Sequence, residues 1–150
     1  MMRENMANEI MFHKCELDDS EGLCELIQIE LGYADITVDE VRSSLAKMLS
    51  SDDYFTVAAG ENGKIYGYVS AVREVCLEAG EYYRVIGLAV KSEHQGRGLG
   101  TALLTLAESN AKANGARLMT LSSNFKRTEA HQFYEKLGYT KTSYSFKKYL

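Results

Sequence analysis

VIGLAVKSEHQGRGLGTALLTL, from Val85 to Leu106, carries three signals in one run. Val85 to Val90 is a short apolar segment of the kind that forms a strand buried on both faces. A polar turn leads into the glycine-dense hexapeptide Gln95-Gly96-Arg97-Gly98-Leu99-Gly100. Leu99, Leu103, Leu106 and Ala107 then recur at helical spacing, and Asn114-Gly115 closes the helix. Strand, glycine loop and helix N-terminus together make a cradle for phosphate groups. Backbone N–H groups converge on the anion, and the helix dipole favours negative charge there.

Two common phosphate motifs are excluded. A Walker loop requires GxxxxGK[ST], but Gly100 is followed by Thr101, Ala102 and Leu103, with no lysine. A dinucleotide fingerprint requires GxGxxG in a βαβ unit. Here Thr101 occupies the third glycine position, and a hairpin precedes the loop.

Upstream, Ile10–Glu16 reads as a first strand, after a polar leader over residues 1–9. Asp18 and Glu21 have capping-box spacing and precede a helix bearing Leu23, Leu26 and Ile27, with Gly32 as its stop. Thr37 and Glu40 form a second box before a helix bearing Val38, Val41, Leu45 and Met48. Tyr54–Ala59 and Ile65–Val75 read as strands joined at Asn62-Gly63, a type I′ turn signal. Tyr82–Val90 follows as a third strand of this group. Downstream, Arg117–Ser122 reads as a strand. Thr128 caps a helix with Ala130, Phe133, Tyr134 and Leu137 on one face, and Tyr139–Leu150 alternates like one or two terminal strands. The order β-α-α-β-β-β-α-β-α-β(β) predicts a mixed α/β domain over residues 10–150, a central sheet flanked by helices.

The chain has 150 residues and a net charge of −4, which argues against a general nucleic-acid binder. The charge is unevenly spread. Residues 1–93 hold 18 acidic against 8 basic side chains, and residues 94–150 hold 3 against 9. A polyanion suits the basic part and a cation the acidic part. No apolar run is long enough for a membrane helix, and no secretion signal is visible. Cys15, Cys24 and Cys76 have no metal spacing, so reduced thiols in a cytoplasmic protein without a bound metal are expected.

The loop matches [RQ]-x-x-G-x-[GA], between a strand containing Leu88-Ala89-Val90 and a helix containing Ala102-Leu103-Leu104. Downstream stands Asn124, then Arg127, then the run from Ala130 through Phe133, Tyr134 and Gly138 to Tyr139, in an A-x-x-F-Y-x-x-x-G-Y pattern. With these two blocks the chain resembles the GCN5-related N-acetyltransferase (GNAT) family from about Ile10 to its C-terminus. The resemblance implies the acyl-CoA N-acyltransferase fold and an enzyme that uses acetyl-CoA. The pyrophosphate would lie on Gln95, Gly96, Arg97, Gly98, Leu99, Gly100 and Thr101. Leu88, Ala89 and Val90 would meet the pantetheine arm as an added strand would. One N–H of that strand would stabilise the thioester oxygen.

Tyr134 matches the family's general acid, which protonates the departing thiolate; its ordinary reading is a core tyrosine. Asn124 and Arg127 match positions near the cofactor, although each also fits an ordinary surface turn. His131 follows Ala130 and turns away from the Tyr134 face, so a structural role is expected. Many relatives carry a glutamate two residues before the position of Leu88, where this chain has Ile86. Glu81 is then the candidate base. Glu30, Tyr33 and Glu74 are candidate acceptor contacts, and the loops Leu31–Asp35 and Cys76–Glu81 are expected to set specificity.

The leading reading is direct acetyl transfer to the primary amine of a small cationic molecule. The alternatives are an acyl-CoA sensor without turnover and a protein Lys or N-terminal acetyltransferase. The exposed edge of the aromatic C-terminal strand offers a route to a homodimer.

Overall fold

The computed structural model describes residues 10–150; the leader expected over residues 1–9 lies outside the described residues. The backbone falls into two compact units, one ending at Thr120 and the other running Leu121–Leu150.

The first unit is built on β1 (Met11–Lys14), β2 (Tyr54–Glu61), β3 (Lys64–Cys76) and β4 (Gly80–Val90), each antiparallel to the next. β5 (Met119–Leu121) lies beside β4, in the order β1-β2-β3-β4-β5. β4 reaches β5 through helix α3 (Leu99–Ala113), a strand–helix–strand crossover that makes the sheet mixed. This is the α/β architecture expected from the alternation of apolar periods.

Helices α1 (Ser20–Glu30) and α2 (Val38–Leu49) cover one face of the sheet. Leu23, Leu26, Val41 and Leu45 pack there with Cys15, Cys24, Ala58, Ile65, Tyr68 and Ala89. On α3, Leu99, Leu103, Leu104, Ala107 and Ala111 are buried, and the helix packs on β3 and β4. Gly67 permits that approach, since a Cβ there would meet the Leu103 side chain at 3.0 Å and the Ala89 carbonyl at 3.1 Å.

Local signals mostly act where they stand. Asn62 (φ 51°) and Gly63 (φ 79°) form the expected tight hairpin turn. The Thr37 hydroxyl accepts from the Glu40 N–H at 3.1 Å, and Gly32 (φ 80°) follows the end of α1. The first capping box is displaced. The pair that forms is Glu16–Asp19, around a 3-10 turn over Leu17–Asp19, rather than Asp18–Glu21. Asp19 is also held by His13 at 3.0 Å, an interaction invisible to local spacing.

The second unit contains α4 (Thr128–Lys136), preceded by Arg127 at the N-cap; Thr128 is inside the helix rather than capping it. The expected terminal strands are not formed. Residues 139–150 have no strand hydrogen bonding, and Tyr144 and Phe146 are 89% and 94% exposed. Alternation makes a strand only against a partner ladder. The strand edge expected to support a homodimer is therefore absent among the described residues.

Candidate active site

Ile86 marks the first irregularity in β4. Ser70 pairs with Gly87 and Ala71 with Val85, so Ile86 is the extra residue of a β-bulge. It is 40% exposed. β5 joins β4 near the other end, where the Tyr83 N–H donates to the Leu118 carbonyl at 3.2 Å. A three-residue strand spans only about 10 Å. Beyond the bulge, Leu88–Val90 form the last part of β4 before the turn into the glycine loop.

At the end of β4 the chain makes a 3-10 turn over Ser92–His94 and enters the glycine loop. The Lys91 N–H donates to the Tyr66 carbonyl at 2.8 Å, and the His94 ring stacks on Tyr66 with centroids 4.0 Å apart. The Tyr66 hydroxyl donates to Glu61 at 3.0 Å, which ties the β2–β3 hairpin to the loop entrance.

Gly96 (φ 77°) and Gly98 (φ 82°) occupy the left-handed region, and a Cβ on either would meet nothing within 4 Å. Glycine is required here by backbone conformation, and the space before the loop is open. Gly98 is the N-cap of α3, and the first intrahelical bond runs from the Ala102 N–H to the Gly98 carbonyl at 2.9 Å. The N–H groups of Leu99, Gly100 and Thr101 thus have no acceptor within the helix. They suit a pyrophosphate, and the adjacent Arg97 is exposed.

The candidate acidic residues separate by position. Glu30, at the end of α1, accepts from the Ser92 N–H at 3.0 Å and from the Ser92 hydroxyl at 2.8 Å. Glu74 is paired with Arg84 at 2.8 Å and accepts from the Tyr82 hydroxyl at 2.9 Å. The Arg84 guanidinium holds its carboxyl below the usual range, against a smaller opposing effect of burial. Glu81 stands near the start of β4, seven residues before Leu88, or roughly 23 Å of extended strand. Glu81, the expected base, thus stands at the opposite end of β4 from Leu88. Glu74, paired across from Tyr82, shares that remote end. Tyr33 is exposed in the loop after α1.

Tyr68 belongs to the core cluster on the neighbouring strand, beside the bulge. It is paired with Ala89 and 8% exposed. Its hydroxyl lies where a Cβ on Gly87 would approach to 2.6 Å. Burial pushes its pKa up to about 12, with the Cys15 thiol and Tyr33 adding to the shift, so it remains a donor. Cys15 and Cys24 are buried, and burial raises both thiols, Cys15 to about 12. Neither is a ready nucleophile.

In the second unit, Tyr134 lies on the buried face of α4, 9% exposed. Its ring meets Phe133 and Tyr139 edge-on, at 5.4 and 6.2 Å. Burial raises its pKa, opposed by the Arg127 charge, so the hydroxyl holds its proton at neutral pH. The Asn124 side chain accepts from the Lys126 N–H at 2.9 Å, and the His131 Nε2 lies 2.9 Å from the Asn124 carbonyl. His131 thus fastens the turn before α4, in keeping with a structural role.

A separate cleft of about 400 Å³ is lined by Asp52, Asp53, Tyr54, Tyr83, Asn110 and Asn114, among others. It lies by the last turn of α3, about 20 Å along that helix from the glycine loop. Among the described residues no helix is long and apolar enough to cross a membrane, and no group of acidic, His and Cys side chains could hold a metal.

Residues 21–139 match the model of the acetyltransferase (GNAT) family. The chain is 33% identical over 129 residues to an aminoalkylphosphonate N-acetyltransferase of Salmonella typhimurium, covering 85% of this chain and 80% of that one. A GNAT family acetyltransferase of Staphylococcus aureus is 26% identical, with a TM-score of 0.76 over 94% of this chain and 98% of that one. An aminoglycoside N-acetyltransferase solved with CoA has the same fold at 14% identity, with a TM-score of 0.81 over 95% of each chain.

Proposed function

This chain belongs to the acetyltransferase (GNAT) family and is an acetyl-CoA-dependent N-acetyltransferase; from that premise we propose that it acetylates the primary amine of a small molecule by direct transfer. The observation that carries the reading is the loop itself. Gly96 and Gly98 are left-handed, the space before them is open, and the first N–H groups of α3 have no acceptor within the helix. Acetyl-CoA supplies an activated acetyl thioester when bound.

In this proposal residues 10–150 act as one catalytic domain. Gln95–Thr101 hold the pyrophosphate, and Arg97 and Arg127 add positive charge. Leu88–Val90 take the pantetheine arm as an added strand would, and Asn124 contributes a hydrogen bond to it. The N–H at Leu88 stabilises charge that develops on the carbonyl oxygen during attack. Tyr134 holds its proton until the thiolate leaves and then donates it. No carboxylate is assigned as base: Glu30 and Glu74 are engaged, and Glu81 is remote. The amine attacks in its neutral form and releases its proton through water.

The acidic balance of residues 1–93 favours a cationic acceptor, with Tyr33 bordering it. A second reading, a small amine bearing a phosphonate, is favoured by the 33% identical relative. Release of CoA thiol from acetyl-CoA, measured over polyamines, aminoglycosides, amino acids, aminoalkylphosphonates and lysine peptides, tests both. Turnover with small amines supports the proposal. Preference for a phosphonate over polyamines overturns the cationic reading, preference for peptides overturns the small-molecule reading, and binding without turnover across the panel identifies a sensor.

A further inference from the structure

The glycine loop is held from outside by one carboxylate. Glu30 is the last residue of α1, yet its side chain reaches the 3-10 turn between β4 and the loop. Its oxygens accept from the Ser92 N–H at 3.0 Å and from the Ser92 hydroxyl at 2.8 and 3.0 Å. Gln95 Nε2 adds a long contact to the same carboxylate at 3.4 Å and donates to the Val90 carbonyl at 2.8 Å. The turn and the first loop residue therefore converge on Glu30, and Gln95 links them to the end of β4.

A negative charge beside a phosphate-binding loop is unfavourable for the phosphate by Coulomb's law. Its presence calls for a compensating role. Hydrogen bonds to a charged acceptor are roughly twice as strong as neutral ones. Fixing the loop before binding also removes an ordering cost that the ligand would otherwise meet.

We propose that Glu30 is a positioning residue, whose bonds to Ser92 and Gln95 hold the glycine loop in the conformation that receives the cofactor pyrophosphate. The inference rests on the reading of Gln95–Thr101 as the pyrophosphate cradle. It also replaces the expectation of Glu30 as an acceptor contact, since both of its oxygens are engaged by the loop.

The test compares acetyl-CoA with acetyl-pantetheine, a thioester that lacks the pyrophosphate. Calorimetry on Glu30→Ala is expected to show acetyl-CoA binding weakened about tenfold, with Ser92→Ala about threefold. Glu30→Gln, whose amide oxygen still accepts from Ser92, stays within about threefold of wild type. KM for acetyl-pantetheine is unchanged in all three, and melting temperatures show that each variant is folded. Unaltered acetyl-CoA affinity in Glu30→Ala overturns the positioning role. Equal losses for both thioesters also overturn it, because they mark a general structural defect. A wild-type protein that binds acetyl-CoA no more tightly than acetyl-pantetheine overturns the cradle reading, and the positioning role with it.

Discussion

A Cβ on Gly87 would stand 2.6 Å from the hydroxyl oxygen of Tyr68 and 2.9 Å from its Cε2. The two residues sit on neighbouring strands just past the bulge at Ile86. The absence of a side chain on β4 is thus matched to a buried ring on β3. Gly87→Ala must displace Tyr68 from the core and is expected to cost about 1–3 kcal/mol by overpacking. Tyr68→Phe removes the nearest atom but leaves the ring, so the double variant recovers only part of the loss. Denaturant midpoints of the two single variants and the double variant measure that recovery. Strict additivity would separate Gly87 from Tyr68.

Gly98→Ala tests the loop by a different route. The position has open space but a left-handed φ of 82°, which costs an L-residue roughly 1–2 kcal/mol. Acetyl-CoA affinity is expected to fall more than stability does, because the α3 N-terminus must reorient its N–H groups. Calorimetric titration beside a thermal melt separates the two. A melt that drops while affinity stays constant would count against the cradle.

Tyr134→Phe keeps the buried ring and removes the proton donor. We expect kcat to fall about 10- to 100-fold, toward or below the low end for general acids, because a thiolate is already a fair leaving group. KM for acetyl-CoA should change little. Burial raises the Tyr134 pKa, so the wild-type hydroxyl keeps its proton at neutral pH and its ionisation does not limit activity there. An unaltered kcat in the variant, with chemistry rate-limiting, removes Tyr134 from the reaction.

Alkaline stability should depend on Cys15. Its thiol moves from an ordinary 9.0 to about 12 on burial, so between these values the folded chain keeps a proton that the unfolded chain has lost. The contribution is complete below pH 9 and declines as pH rises toward 12, by up to about 1.4 kcal/mol per pH unit. Tyr68, raised from 10.0 to about 12, adds a second decline that starts one unit higher. In Cys15→Ala the decline between pH 9 and 10 should flatten, as read from urea midpoints across that range. A slope identical to wild type would assign the effect elsewhere.

Much of this molecule was legible locally. The Asn62-Gly63 turn, the Thr37–Glu40 cap, the stop at Gly32 and the left-handed glycines before α3 each follow from the conformational range of one or two residues. Apolar periods of about 2 and 3.6 then ordered the elements into a mixed sheet flanked by helices. The two sequence blocks also sufficed to place the chain in its family.

Other features needed the fold, because they depend on which distant residues meet. Glu30 and Ser92 are far apart in sequence, and only the packing of α1 beside the end of β4 makes one the acceptor of the other. Glu81 was a candidate base once Ile86 left the usual carboxylate position empty, and the length of β4 sets it at the far end of that strand from Leu88. Residues 139–150 alternate like a strand but have no ladder in the structure. Backbone conformation, turns and amphipathic faces are properties of neighbouring residues, so the sequence determined them. Whether a carboxylate is a base, a salt-bridge partner or a loop anchor depends on what lies within 3 Å of it, and that only the tertiary structure decided.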